Sequence, residues 1–153
     1  MLYMILILVL VAADQLSKYL IATNMIEGES LPLITNFFHL TYVKNRGIAF
    51  GMFQGKLDII GIATVIAIVA IGYYFYKDRK KLSIVEKIGY SYILAGAIGN
   101  MIDRIGRGFV IDMIDFRGIW IYVFNLADVW INLGVIFILI DQFIIKKRSD
   151  KIK

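Results

Sequence analysis

The run from Ile59 to Tyr76 carries no charged side chain, and it is about long enough to cross the hydrocarbon core of a bilayer. Three other apolar segments accompany it, at about Met1 to Thr23, Ser83 to Ile102 and Leu126 to Ile145. A lone strand in lipid would leave its backbone unpaired, so all four segments read as α-helices. Hydrophobic residues fill 59% of the 153 positions, above the usual share of a soluble domain. A chain this small has too little interior to hide that much apolar surface, so lipid must be the solvent for much of it. The sequence therefore predicts one integral membrane domain over 1–153, all-α in class, with four transmembrane helices.

Charge placement orients these helices. Lys77, Arg79, Lys80 and Lys81 crowd the connection between the second and third segments, and Lys146, Lys147, Arg148, Lys151 and Lys153 crowd the C-terminal end. With four spans these two clusters lie on the same side, and basic connections mark the cytoplasmic side. Both termini are then expected inside. The connections Asn24 to Asp58 and Asp103 to Asn125 are expected outside. Aromatic residues are not interleaved with the basic clusters, so nucleic acid is not an expected partner. The first segment lacks a basic leader and a good cleavage site, so it reads as a retained helix and not a signal peptide. Partial alternation around Phe38 to Val43 predicts short strands at the membrane surface, a small extracytoplasmic β-containing segment between helices 1 and 2.

The chain has no cysteine and a single histidine, His39. Thiolate catalysis, disulfides and Cys- or His-rich metal sites are thereby excluded. What remains is a set of polar residues inside or at the edge of apolar runs: Asp14, Asn100, Asp103, Asp112 and Asp128. Ionisable groups in such places are expensive and mark functional sites by default. Asp14 and Lys18 stand i,i+4 and can neutralise each other on one helix face. Asn45-Arg46-Gly47 reads as a turn whose asparagine can both donate to and accept from a peptide. Gly96 and Gly99 make a small-residue face for close helix packing. Asp103 and Arg104 can be read as interface markers, with Arg104 reaching out of the lipid. Asn125 and Asp128 form a capping-box pattern. Asp112 lies in an apolar Val-Ile-Asp-Met-Ile setting that favours its protonated form, and local composition does not choose between it and nearby Asp115.

Five ordered blocks resemble those of lipoprotein signal peptidase, also called signal peptidase II. They are Asp14-Gln15-Leu16-Ser17-Lys18, Asn45 through Phe50, Gly99-Asn100-Met101-Ile102-Asp103-Arg104, Gly108 through Asp112, and Phe124-Asn125-Leu126-Ala127-Asp128. Each block alone is weak, but five in order over nearly the whole chain are specific. Departures from the family pattern are Ala95 in place of a glycine, Met113 in place of phenylalanine, and the bulky Trp130. They bear on packing and pocket shape.

The resemblance implies an aspartic endopeptidase with Asp112 and Asp128 as the catalytic pair. It makes Asn45, Asn100, Arg104 and Asn125 substrate- or aspartate-orienting residues, and Asp14, Lys18 and Gly47 supporting ones. The implied substrate is a prolipoprotein carrying a diacylglyceryl group on cysteine, cut just before that cysteine at the outer face of the bacterial plasma membrane. A metal or organic cofactor is not implied, and the chain is expected to act as a monomer among membrane lipids. A small transporter or proton-relay subunit is the main alternative, since it would use the same intramembrane carboxyls. A non-catalytic assembly factor would use them only as packing polar groups. A serine-type mechanism lacks the Gly-x-Ser-x-Gly elbow.

Overall fold

The computed structural model describes residues 1–47 and 57–146. Ile48, Ala49 and Phe50 of the second sequence block lie outside these residues, as does the basic tail beyond Lys146. Four long helices dominate: α1 (Leu2–Asn24), α2 (Leu57–Asp78), α3 (Ile84–Arg107) and α4 (Leu126–Ile140). The last continues into a wider π-helical turn, Asp141–Lys146. Helices α1, α2 and α4 with its extension are long and apolar enough to cross a membrane.

Helix α3 has the length but carries Glu86, Lys87, Asp103, Arg104 and Arg107. It packs against each of the other three, which shield Glu86, Ser91, Asn100 and Asp103 on its buried side. It starts with a capping box between Ser83 and Glu86 and ends at Gly108 in the left-handed region, φ 73°. Glycine is free to adopt that conformation. The helix thus runs past the expected end at Ile102, bringing Asp103 and Arg104 onto regular helical faces.

Close approach of α3 and α4 depends on glycine. A Cβ on Gly134 would lie 2.6 Å from the Gly89 carbonyl oxygen and 2.7 Å from Ile93 Cγ1, and one on Gly96 would collide with the Ala127 carbonyl. Backbone cannot yield as a flexible side chain can. Gly134→Ala is therefore expected to destabilise the protein by about 1–3 kcal/mol. A thermal unfolding series in detergent reads this directly; an unchanged midpoint would contradict the tight interface.

Three strands form an antiparallel sheet in the order β1 (Ser30–Ile34), β2 (Phe38–Asn45), β3 (Val110–Phe116). The first two come from the expected segment between α1 and α2. The third comes from between α3 and α4, so the sheet joins two connections that are distant in sequence. Asp112 accordingly sits on a strand and not in a loop. Pairing Val43 with Asp112 and Leu40 with Ile114 leaves Thr41 and Tyr42 opposite Met113 alone, a bulge that re-aims side chains beside the site. One sheet face packs on the end of α1 through Ile21, Tyr42, Ile111 and Met113. On the other face, Val110, Asp112 and Phe116 line a cavity.

Candidate active site

The period-two alternation of β3 decides between its two aspartates. Asp112 shares the cavity face with Val110 and Phe116, whereas Asp115 turns the other way, accepting from Thr41 Oγ1 at 2.7 Å and Arg117 Nε at 3.1 Å. The cavity, of about 900 Å³, also receives Asn45, Asn100, Arg104, Asn125 and Asp128. Four separate elements and one cap therefore converge on it.

Asn125 ties the two carboxyls together. Its side-chain Nδ2 donates to Asp112 Oδ1 at 2.6 Å, while its Oδ1 accepts from the Asp128 backbone N–H at 3.1 Å. Its own backbone N–H donates to Asp128 Oδ2 at 3.3 Å, completing a capping box. The cap and the site are one structure. Asn45 Nδ2 donates to Asp112 Oδ2 at 3.0 Å, and Asn100 Nδ2 donates to Asp128 Oδ1 at 2.9 Å.

Each of these three amides is held in one orientation. The oxygen of Asn45 accepts from the Gly47 N–H at 2.8 Å, and that of Asn100 accepts from Lys18 Nζ at 3.0 Å. The oxygen of Asn125 takes the helix-cap N–H. Backbone N–H and ammonium groups are donors only, so each asparagine must turn its NH₂ toward a carboxyl. Asp112 is nearly inaccessible to solvent, at 2% exposure. Burial pushes its carboxyl up to about 7, the neighbouring Asp128 charge adds to the rise, and the Asn45 and Asn125 amides oppose it.

Behind Asn100 lies a closed charge cluster. Lys18 Nζ is 2.9 Å from Asp14 Oδ2 and 3.0 Å from Asp103 Oδ2, and all three side chains are fully buried. Arg107 pairs with Asp103 as well. Two acids and two bases balance, as buried charges require. Gln15 Nε2 reaches Asp14, the Gly99 carbonyl and Asp103. Asp14 accepts from the Ala127 N–H at 2.9 Å, fixing the start of α4 next to Asp128. The i,i+4 pairing of Asp14 and Lys18 is present, but Asp103 is no interface marker. It is the second counter-ion of Lys18, and it also accepts from the Ile111 N–H at 3.2 Å, anchoring β3. Arg104 turns into the cavity and not out of the lipid; its Nη2 donates to the Gly47 carbonyl at 3.3 Å.

The sequence alone assigns no role to Gln15 and Arg107, although Asp103 and Arg107 stand i,i+4 and Gln15 sits between two buried charges. A further buried polar group is equally silent in the sequence. Glu86 bonds Gln142 at 2.8 Å and Asp141 accepts from Ser83 Oγ at 2.6 Å, joining the start of α3 to the end of α4.

The family model for signal peptidase (SPase) II matches residues 6–144. The chain belongs to the signal peptidase II family. The lipoprotein signal peptidase of Fusobacterium nucleatum subsp. nucleatum is 52% identical over 97% of this chain and 90% of its own length. That of Clostridioides difficile is 44% identical over 97% and 99%. A solved structure described as a bacterial membrane enzyme, obtained by the in meso method, superposes with a TM-score of 0.88 at 36% identity, covering 97% of this chain and 90% of the other.

Within the signal peptidase II framework, the departures of this chain concern packing. Met113 is buried between the sheet and α1, at 3% exposure. Trp130 meets Tyr92 edge-on, with ring centroids 5.7 Å apart. Neither residue lines the cavity, so the expected effect on pocket shape does not arise by direct contact.

Proposed function

We propose that this protein is the aspartic endopeptidase that removes signal peptides from diacylglyceryl-modified prolipoproteins, with Asp112 and Asp128 as its catalytic pair. The observation carrying this reading is the pair of carboxyls bridged by Asn125 at the polar end of a largely apolar cavity. Two interacting carboxyls cannot both ionise cheaply, so the pair shares one proton. The ionised member takes a proton from a water as that water attacks the scissile carbonyl carbon. The protonated member donates to the carbonyl oxygen. Collapse of the tetrahedral species breaks the C–N bond: the proton held by the first carboxyl passes to the leaving amine of the cysteine, and the hydroxyl formed from the carbonyl oxygen returns its proton to the second carboxyl. A new carboxyl terminus and a free lipidated cysteine result, with one water consumed. The cycle calls for no metal or organic cofactor.

Asn45, Asn100 and Asn125 hold the carboxyls, and Arg104 offers a cation to substrate carbonyls in the same cavity. Gly47, Asp14 and Lys18 act from behind as supports. We read all four helices as spans, with both termini cytoplasmic and the carboxyl pair toward the extracytoplasmic face of the bacterial plasma membrane. The basic clusters support that orientation. A single chain contains every group used, in keeping with a monomer.

The deciding experiment compares a lipidated prolipoprotein with its unlipidated counterpart, using purified protein in vesicles. Cleavage before the cysteine of the lipidated form alone is expected; equal cleavage of both would contradict the lipid-anchored substrate. A second expected result concerns pH. A catalytic pair holding one proton loses it as pH rises through the Asp112 value of about 7, so kcat/KM should fall on the alkaline side. It should fall again in acid, when both carboxyls are protonated. A profile flat from neutral pH to well above it would exclude a required proton on the pair.

A further inference from the structure

Between β3 and α4 the chain makes a loop, 117–123, whose tip is Ile119-Trp120-Ile121-Tyr122. Ile121 is 86% exposed and Ile119 69%, and the four residues carry no charge. An apolar tip of this size facing water would be a liability. Its base is firmly held. The Ile114 and Phe124 backbones exchange bonds of 2.7 and 3.1 Å, and Trp120 N–H donates to the Phe116 carbonyl at 3.0 Å. Asp112 lies two residues before this closure and Asn125 directly after it, so a displacement of the tip is transmitted to both.

Two observations identify what covers the tip. The cavity wall runs from Ile119 and Trp120 along α4 through Ile131 to Ile136, about 15 Å below the helix start at 1.5 Å per residue. Ile136 is itself about half exposed, on a helix of membrane-crossing length and hydropathy. The apolar tip is therefore continuous with a surface already immersed in lipid. Its alternation of isoleucine with Trp120 and Tyr122 also suits the boundary between acyl chains and headgroups, where amphipathic rings settle.

We infer that the 117–123 loop is seated in the bilayer, Ile119 and Ile121 entering the acyl region and Trp120 and Tyr122 lying at headgroup level, so that the cavity opens sideways to lipid. This rests on the membrane reading of the helices but not on the peptidase chemistry. The loop sets the height of the Ile114–Phe124 closure, and with it the carboxyl pair, relative to the membrane surface. A lipid-anchored chain would then reach the cavity by lateral diffusion, without leaving the leaflet.

Trp120 and Trp130 are the two tryptophans of the chain, so Trp130→Phe leaves Trp120 as the reporter. In phosphatidylcholine–phosphatidylglycerol vesicles, bromine near the top of the acyl chains should quench Trp120 strongly, while aqueous iodide should not. Adding Ile121→Asp, or the milder Ile121→Ser, should weaken that quenching about threefold, because each removes the side chain that gains most from lipid. Ile121 does not line the cavity, so cleavage in detergent should persist while cleavage in vesicles falls.

Iodide quenching without bromolipid quenching would overturn the inference, as would bromolipid quenching unaltered in both Ile121 variants. Shielding from both quenchers that varies with protein density would assign the tip to a second copy of the chain instead. As a control, Val69→Trp in a background of Trp120→Phe and Trp130→Phe reports from the exposed side of α2. If deep bromines fail to quench it, the membrane reading itself fails, separately from the loop.

Discussion

Asp112→Asn or Asp128→Asn should each lower prolipoprotein cleavage by about 10³-fold or more, because each removes a group that must exchange a proton during the reaction. Asparagine has nearly the shape of aspartate, so insertion, helical content and cavity volume should change little. The bridging position of Asn125 sharpens the expectation. Its amide and backbone reach both carboxyls, so the two act as a unit, and residues that act as a unit are non-additive. The double variant should be hardly worse than either single one. Rates of purified variants on a lipidated substrate decide the matter. Substantial turnover by either single variant would remove the pair from the chemistry, and fully multiplicative losses would show two independent roles.

Lys18→Met should destabilise the protein more than Gly134→Ala or either aspartate variant. The lysine is fully buried between Asp14 and Asp103, and methionine would fill the same space while leaving two carboxylates facing each other without their ammonium. Breaking a buried pair by removing one partner costs about 3–5 kcal/mol. The partly exposed pair Lys44–Glu27, also 2.9 Å apart, is the natural contrast; Lys44→Met should cost far less because solvent screens that contact.

Combining Lys18→Met with Asp14→Asn and Asp103→Asn should recover much of the stability, since the fully buried charges are then absent and the Arg107 left without Asp103 is partly open to solvent. It should not restore activity in proportion. Without the ammonium, the Asn100 amide is free to turn and present its oxygen to Asp128, which removes a donor from the carboxyl. Unfolding midpoints and kcat measured side by side separate these effects. A Lys18→Met protein as stable as the parent would contradict the closed charge cluster.

Much of the site is legible in the chain before any fold is known. Asp14 and Lys18 declare their pairing by helical spacing, and Asn125 with Asp128 announces a cap, because both are local relations within a few residues. The apolar runs locate the helices for the same reason. Other features are hidden by distance along the chain. Nothing near Asp103 says that its partner is Lys18, and nothing near Asp112 says that a strand from the distant Phe38–Asn45 segment will pair with it. Local reading consequently makes Asp103 a surface marker and Asp112 a loop residue. Glu86 and Asp141 lie inside the third and fourth apolar segments, but nothing near them names their partners Gln142 and Ser83, which are more than fifty residues away.

By itself the sequence determined that lipid is the main solvent, that four helices form, and that a few carboxyls and amides are too costly to be incidental. The ordered blocks added the family. By resemblance those blocks also pointed to Asp112 over Asp115. Only the tertiary structure supplied the physical reason, since strand parity acquires meaning only once one face of the sheet packs on α1 and the other lines the cavity. It also decided that three asparagines are each locked in one orientation, because the donors that lock them come from a turn, a helix cap and a lysine on another helix. Hydropathy and spacing are sums over neighbours in the chain, whereas hydrogen-bond direction depends on neighbours in space.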